Sequence, residues 1–195
     1  NFVRTCIEIL SSLPSVVVGL FGYLIFVVQF EYGFSIISGA LALTVFNLPQ
    51  MTRNVEDSLR HVHHTQREAG LALGISRWET VLHVVIPEAL PSIVTGIVLA
   101  SGRIFGEAAA LIYTAGQSAP ALDWSNWNIF SVTSPISIFR QAETLAVHIW
   151  KVNSEGTIPD GTAVSAGSAA VLLIFILIFN LGARKLGSYL HKKLT

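Results

Sequence analysis

The sequence predicts an all-α fold: a polytopic membrane helical bundle with about four spans. Two observations on composition and one on charge placement predict it. Of the 195 residues, 52% are apolar and 12% are charged, and a soluble domain carries about twice that charged share. The apolar residues gather into four runs, each near the ~20 residues that cross a ~30 Å hydrocarbon core. Lysine and arginine are spread unevenly between those runs, which is the signal that orients a membrane chain. Formal net charge is zero, so the total says nothing of partners, and no nucleic-acid partner is expected. Cys6 stands alone, which excludes an internal disulfide framework and cysteine-cluster metal sites. The chain opens on Asn1 close to an apolar run. A preceding part of the natural protein is therefore expected, and no signal-peptide pattern is visible.

Residues 1–12, "NFVRTCIEILSS", place Phe2, Val3, Cys6, Ile7 and Leu10 at helical spacing, with Arg4 and Glu8 on another side. This reads as an interfacial helix or the tail of a preceding span. The first span is expected over about 13–30, with a hydroxyl cap from Ser11 or Ser12 and Pro14 in its first turn. Only "EY" separates it from the second, about 33–50, so the two are expected as antiparallel neighbours. Asn47 and Pro49 end that second span, as a kink or with Asn47 bonding another span or lining a path. The third span is expected over about 92–117 and the fourth over about 164–183.

Loop 51–91 carries Arg53, Arg60, Arg67 and Arg77, and the C-terminal tail carries Arg184, Lys185, Lys192 and Lys193. Segment 118–163 carries only Arg140 and Lys151. The positive-inside rule puts the loop and the tail in the cytoplasm and 118–163 outside. That outer segment is rich in turn signals. Within it, Ser134-Pro135 is expected to start a helix running through Trp150. Trp124, Trp127 and Trp150, with Tyr113, fit a headgroup-level aromatic belt.

Loop 51–91 holds helix formers but is too polar to span. A short helix around Glu68, Ala69, Leu71, Ala72 and Leu73 can end at Gly74, since glycine takes the left-handed C′ conformation cheaply. A second helix can start at Ser76, with Glu79 three residues on to complete a capping box. Pro87 and Pro91 are expected to break the pattern before the next span. The product is a helix–turn–helix elbow, suited to docking in a partner's groove.

"EAGLALGISRWETVLHVVIP" resembles the EAA signature of ABC transporter permeases, E-A-A-x3-G-x9-I-x-L-P. Glu68, Ala69, Gly74 and Pro87 match it; Gly70 replaces the third-position alanine, Val84 the isoleucine and Ile86 the leucine. "LPSVVVGLFGY", "LASGRIFGEAAALIYTAG" and "TLAVHIWKV" are similar to segments of phosphate importer permeases. The likeness runs over nearly the whole chain and resembles most the PstA-type subunit, with the paralogous C-type subunit the runner-up. The resemblance implies a type I importer permease of MetI-like fold, of whose roughly six spans these four form the C-terminal part. It implies that loop 51–91 carries a coupling helix for ATP-binding cassette subunits. It also implies a second permease subunit, an extracytoplasmic phosphate-binding protein, and a multi-pass place in the bacterial cell membrane.

On one continuous helix, Arg103 and Glu107 would lie about 40° apart and could pair. A charge at the bilayer centre costs about 2.5–3.5 kcal/mol, so a protein-lined or wet face is expected for both. Gly102, Gly106 and Ala110 form a small-residue ridge beside them. Two readings stand: a pair that locks helix packing, or Arg103 on an anion path with Glu107 holding it. With Asn47, these are the candidate path residues. His61, His63 and His64 read as a solvated loop rather than a metal site. No Walker A loop or nucleophile elbow is present, so no cofactor and no ATPase or other catalytic site is expected in this chain. The rival reading is a proton-coupled carrier or membrane-embedded enzyme using Arg103 and Glu107, and the rival substrates are another oxyanion or a phosphonate.

Overall fold

A computed structural model describes residues 2–156 and 159–194, with side chains over 4–156 and 159–185. The side chains of Phe2, Val3, Lys192 and Lys193 thus lie outside the described residues. Helices account for every regular element among them, as the all-α expectation requires. Helix α1 (Phe2–Ser12) meets α2 (Ser15–Gly22) at a 99° bend. Pro14 makes the corner in an extended conformation. The hydroxyls of Ser11 and Ser12 do not cap α2. They donate back to the carbonyls of Glu8 and Ile9, at 3.0 and 2.7 Å. Both serines belong to the last turn of α1, where carbonyls lack intrahelical partners. An ion pair from Arg53 to Glu8, at 3.6 Å, ties α1 to the third helix.

Helix α2 passes into a π-helical stretch, Tyr23–Gln29. A turn follows, with positive φ at Glu31 and Gly33, and leads into α3 (Ile36–Arg60). The second run does not stop at Asn47 and Pro49. Helix α3 continues through both, for 25 residues in all, because this stretch is packed against its neighbours: Asn47 and Pro49 are buried. The first N–H groups of α3 are satisfied from outside the helix. Ser35 Oγ accepts from the Ser38 amide, and the Arg140 and Ile138 carbonyls accept from the Ile36 and Ile37 amides at 2.9 Å each. These bonds stand in for the missing preceding turn.

After the elbow, described below, one helix runs without a break from Arg77 to Phe105, 29 residues. Pro87 and Pro91 do not interrupt it. It comprises α5 (Arg77–Thr80), a π stretch (Val81–Val85) and α6 (Ile86–Phe105). In a plain α-helix the Pro87 ring would collide with the His83 carbonyl. The widened π turn just before it takes up that clash.

The chain leaves helix at Gly106–Ala108, re-forms a single turn, α7 (Ala109–Ile112), and crosses an irregular segment to α8 (Leu145–Glu155). The expected helix from Ser134 is absent. Helix α8 starts instead at Thr144, whose hydroxyl accepts from the Val147 amide at 3.3 Å. The long α9 (Gly161–Leu194) closes the fold against α6 and α8.

By length and composition, two helices are apolar enough to cross a membrane, Arg77–Phe105 and Gly161–Lys185. The bent α1–α2 pair, with its π extension, makes a third if counted as one span. Helix α3 does not qualify by that measure, since Asn47, Pro49, Gln50 and its polar final turns dilute the apolar run.

Helices α3 and α6 lie antiparallel. Ser58 Oγ donates to Ser92 Oγ at 3.0 Å, Gly96 faces Asn54, Phe46 meets Arg103, and Leu111 and Ala115 reach Gly39. Two small cores pin the ends of this seam. Val62, Val85 and Ala89 form one at the elbow, and Leu111, Ala115 and Val147 form the other at the far end.

Candidate functional site

The elbow is built from α4 (His64–Ala72) and α5. Leu73 ends α4, and Gly74 follows at φ +80 with its amide bonded to the Leu71 carbonyl at 3.0 Å. Ser76 then opens α5 with a complete capping box. Its hydroxyl accepts from the Glu79 amide at 3.2 Å, and the Glu79 carboxylate accepts from the Ser76 amide at 2.9 Å. Both features match the sequence reading. Arg67 anchors the elbow to α3 by donating from Nη2 to the Leu59 carbonyl at 2.5 Å. His61 Nδ1 lies 2.6 Å from the Asp57 carbonyl, closing the end of α3.

Gly70, one of the three departures from the EAA pattern, has a local cause. It is buried, and a Cβ there would stand 2.8 Å from Thr80 Cγ2 and 3.2 Å from Thr80 Oγ1. The bulk missing at 70 is supplied by Thr80, whose hydroxyl donates to the Ser76 carbonyl at 3.0 Å. Gly70→Ala is therefore expected to destabilise the elbow by about 1–3 kcal/mol through overpacking, despite alanine's better helix propensity. Thr80→Ser, which removes Cγ2 and keeps the hydroxyl, is expected to relieve most of that in the double variant. Thermal unfolding of the four proteins of the cycle measures the coupling.

The remaining positions of the EAA pattern divide between surface and core. Glu68 and Ala69 are exposed on α4, Pro87 is exposed on α6, Val84 and Ile86 are half-buried, and Val85 between them is in the elbow core. The loop that joins the two helices presents Leu73, 82% exposed, and α5 presents Trp78, 68% exposed. Both are large apolar side chains on the outer surface of the turn, and tryptophan is among the residue types enriched as interface anchors.

The second part of the site lies along the α3–α6 seam. Arg103 is in the last turn of α6, where a cation complements the helix dipole. Its guanidinium carbon stands 5.2 Å from the centroid of the Phe46 ring. Phe46 is about ten residues, or ~15 Å, into α3, so the last turn of α6 meets α3 well inside that helix. Asn47, beside Phe46, is buried and donates to the Leu43 carbonyl of its own helix at 2.8 Å. Among the described residues, that is the bond its side chain makes, within α3 and not to another span. Asn180 of α9 approaches Gly102, and its Oδ1 is buried without a hydrogen-bond partner among the described residues. Towards the elbow, an open groove of about 460 Å³ is lined by Asn54, Asp57, Ser58, Ser92 and Thr95 together with apolar Pro91 and Leu99.

The expected Arg103–Glu107 pair does not form. The single-helix premise fails because α6 ends at Phe105. The Gly106 and Glu107 amides close back to the Arg103 and Ile104 carbonyls at 3.1 Å each, and Ala108 leaves the helix. Glu107 is engaged locally instead, where its Oε1 accepts from the Ala110 amide at 3.3 Å and caps α7. Among the described residues no carboxylate pairs with Arg103. The ridge of Gly102, Gly106 and Ala110 is likewise divided by the break. Gly102 meets Asn180, Gly106 has only its own turn nearby, and Ala110 packs under α2, where a Cβ on Gly19 would lie 2.8 Å from Ala110 Cα.

Non-helical backbone at membrane depth is tolerated only where protein buries it or where it lines a wet cavity. A broken helix with an arginine in its last turn, joined by continuous helix to an exposed elbow, in a chain with helices apolar enough to cross a membrane, defines a class: a membrane-integral helical protein. The chain belongs to the binding-protein-dependent transport system inner membrane component family, matched over residues 1–195. Members of that family are transmembrane permease components of ABC transporters, not the ATPases themselves. The chain is 61% identical over its full 195 residues to the "Probable ABC transporter permease protein YqgI" of Bacillus subtilis (strain 168), covering 66% of that protein. It is 37% identical over 185 residues to the "Phosphate transport system permease protein PstA" of Xylella fastidiosa (strain 9a5c), 94% of this chain and 59% of that one. It is 40% identical over 141 residues to "PstA 2" of Mycobacterium bovis (strain ATCC BAA-935 / AF2122/97), 71% of this chain and 47% of that one. The chain thus spans between about half and two-thirds of the length of these relatives. No solved structure matches it significantly.

The sequence reading missed Phe46, Thr80 and Asn180. Residue type alone gives phenylalanine no signal within an apolar run. An asparagine inside the last span was a visible signal, since polar residues at membrane depth are expensive.

Proposed function

We propose that the chain is the permease subunit of an ATP-driven importer of inorganic phosphate, forming half of the translocation path. The observation that carries it is Arg103, set against Phe46 of α3, with no carboxylate partner among the described residues, on the helix that continues into the elbow. A guanidinium offers a planar fork of donors that matches a tetrahedral oxyanion. The likeness to phosphate permeases supports this anion over other oxyanions. The elbow, with its coupling residues 68–70, 74, 84, 86 and 87, docks on an ATP-binding cassette subunit through Leu73 and Trp78. A paralogous C-type permease supplies the other half of the path, and an extracytoplasmic phosphate-binding protein delivers the anion. Loop 51–91 and the C-terminus then face the cytoplasm of a bacterial cell. ATP binding moves the elbow as a rigid body, and the helix Arg77–Phe105 carries that movement to Arg103.

The test is uptake of labelled phosphate by proteoliposomes holding the full-length chain with its partner subunits. ATP-dependent phosphate uptake, competed by unlabelled phosphate and not by an alkylphosphonate, is expected. Competition by the phosphonate at equal or lower concentration reassigns the substrate. Uptake that persists without the ATPase subunits removes the permease reading in favour of a carrier.

A further inference from the structure

An arginine in a helix apolar enough to cross a membrane, read as an anion contact, poses two problems: it must be held in place, and it must remain able to bind and release an anion. A carboxylate partner solves the first by occupying the guanidinium's donors, which are the groups that an oxyanion needs. Glu107, the nearest acid in sequence, is instead committed to the Ala110 amide, and Arg103 stands over the Phe46 ring at 5.2 Å. An aromatic face attracts a cation through its quadrupole without accepting its N–H donors at the edge. The two groups come from different helices, Phe46 from α3 and Arg103 from the last turn of α6. The antiparallel seam fixes them opposite each other. Phe46 is half-buried and Arg103 is exposed, so the ring backs the cation on one side and leaves it accessible on another.

We propose that Phe46 is the positioning residue of the anion site: its ring holds Arg103 in place without neutralising it, leaving the guanidinium donors for the oxyanion. This rests on the reading of Arg103 as the anion contact. It sets affinity by a graded property, the electron density of the ring face, rather than by a counter-charge. Asn47 and Asn180, the neighbouring polar side chains, carry no charge and do not substitute for that hold.

The test replaces Phe46, in the full-length chain within the assembled importer, with phenylalanines bearing one, two and three ring fluorines. Fluorination keeps the shape of the ring and drains its face. KM for phosphate is expected to rise stepwise, by about fivefold across the series, with Vmax moving less than KM. Phe46→Leu, apolar but without a face, is expected at the far end of the series, and Phe46→Tyr is expected to recover most of that loss. A KM that stays flat across the fluorinated series, or that falls, overturns the role of Phe46. A flat series combined with loss of uptake in Arg103→Gln removes Phe46 and leaves Arg103 as the anion contact. Normal uptake in Arg103→Gln removes the underlying reading itself.

Discussion

Arg103→Gln is expected to reduce ATP-driven phosphate uptake by more than about a hundredfold at unchanged membrane abundance. Truncating one partner of a desolvated charge pair costs about 2–5 kcal/mol, and ~3 kcal/mol corresponds to slightly over two powers of ten. Glutamine keeps much of the length and can still donate, but it lacks the charge and the fork. Arg103→Lys is expected to fall between, since it keeps the charge without the bidentate geometry. Glu107→Gln provides the contrast. Its amide oxygen can still accept from the Ala110 amide, the bond the carboxylate makes at 3.3 Å, so the loss is expected to stay below about threefold, a few tenths of a kcal/mol. Uptake of labelled phosphate, normalised to immunoblotted chain in the membrane, separates the three. Wild-type uptake in Arg103→Gln would remove the arginine from the path. A loss in Glu107→Gln as deep as in Arg103→Gln would restore the ion-pair reading that the broken helix argues against.

What the sequence disclosed and what it hid divide along physical lines. The elbow was legible because its signals are local: Gly74 needs a left-handed φ, and Ser76 and Glu79 bond across three residues. Neither depends on what packs around them. The end of α6 was hidden because Gly106, its C-cap, also fits a small-residue ridge on a continuous helix. The carboxylate of Glu107, turned to the Ala110 amide, accompanies the break. Pro87 and Pro91 misled in the opposite sense. A proline is read as a stop when only α-helical geometry is considered, yet the π stretch Val81–Val85 admits Pro87 within a continuous helix. Pairings across helices, such as Arg103 with Phe46 and Gly70 with Thr80, leave no periodic trace in one sequence. The same error of continuity made Arg103 and Glu107 look like a pair, since their spacing has meaning only along an intact helix.

Gly74→Val is expected to uncouple the transporter, and Gly74→Asn is expected to leave it near wild type. Gly74 sits at φ +80, and a Cβ placed there meets nothing within 4 Å. The cost of a side chain is therefore one of backbone conformation and not of space. For an ordinary residue that cost is about 1–2 kcal/mol, and it is larger for a β-branched one, whereas asparagine adopts the left-handed region readily. The turn it governs sets the angle between α4 and α5. Helix α5 runs unbroken into α6, so a distorted turn misplaces the exposed Leu73 relative to the helix that carries Trp78 and, in its last turn, Arg103. The effect should appear as weaker retention of the ATPase subunit and fewer phosphates moved per ATP hydrolysed, with phosphate affinity little changed. That split is the diagnostic: a defect in the anion site raises KM, while a defect in the elbow lowers the transport-to-hydrolysis ratio. If Gly74→Val keeps both the ATPase subunit and the ratio, the elbow does not transmit the movement, and the drive on Arg103 must come from elsewhere. If Gly74→Asn fails as badly as Gly74→Val, the glycine is needed for close approach by a partner and not for its φ.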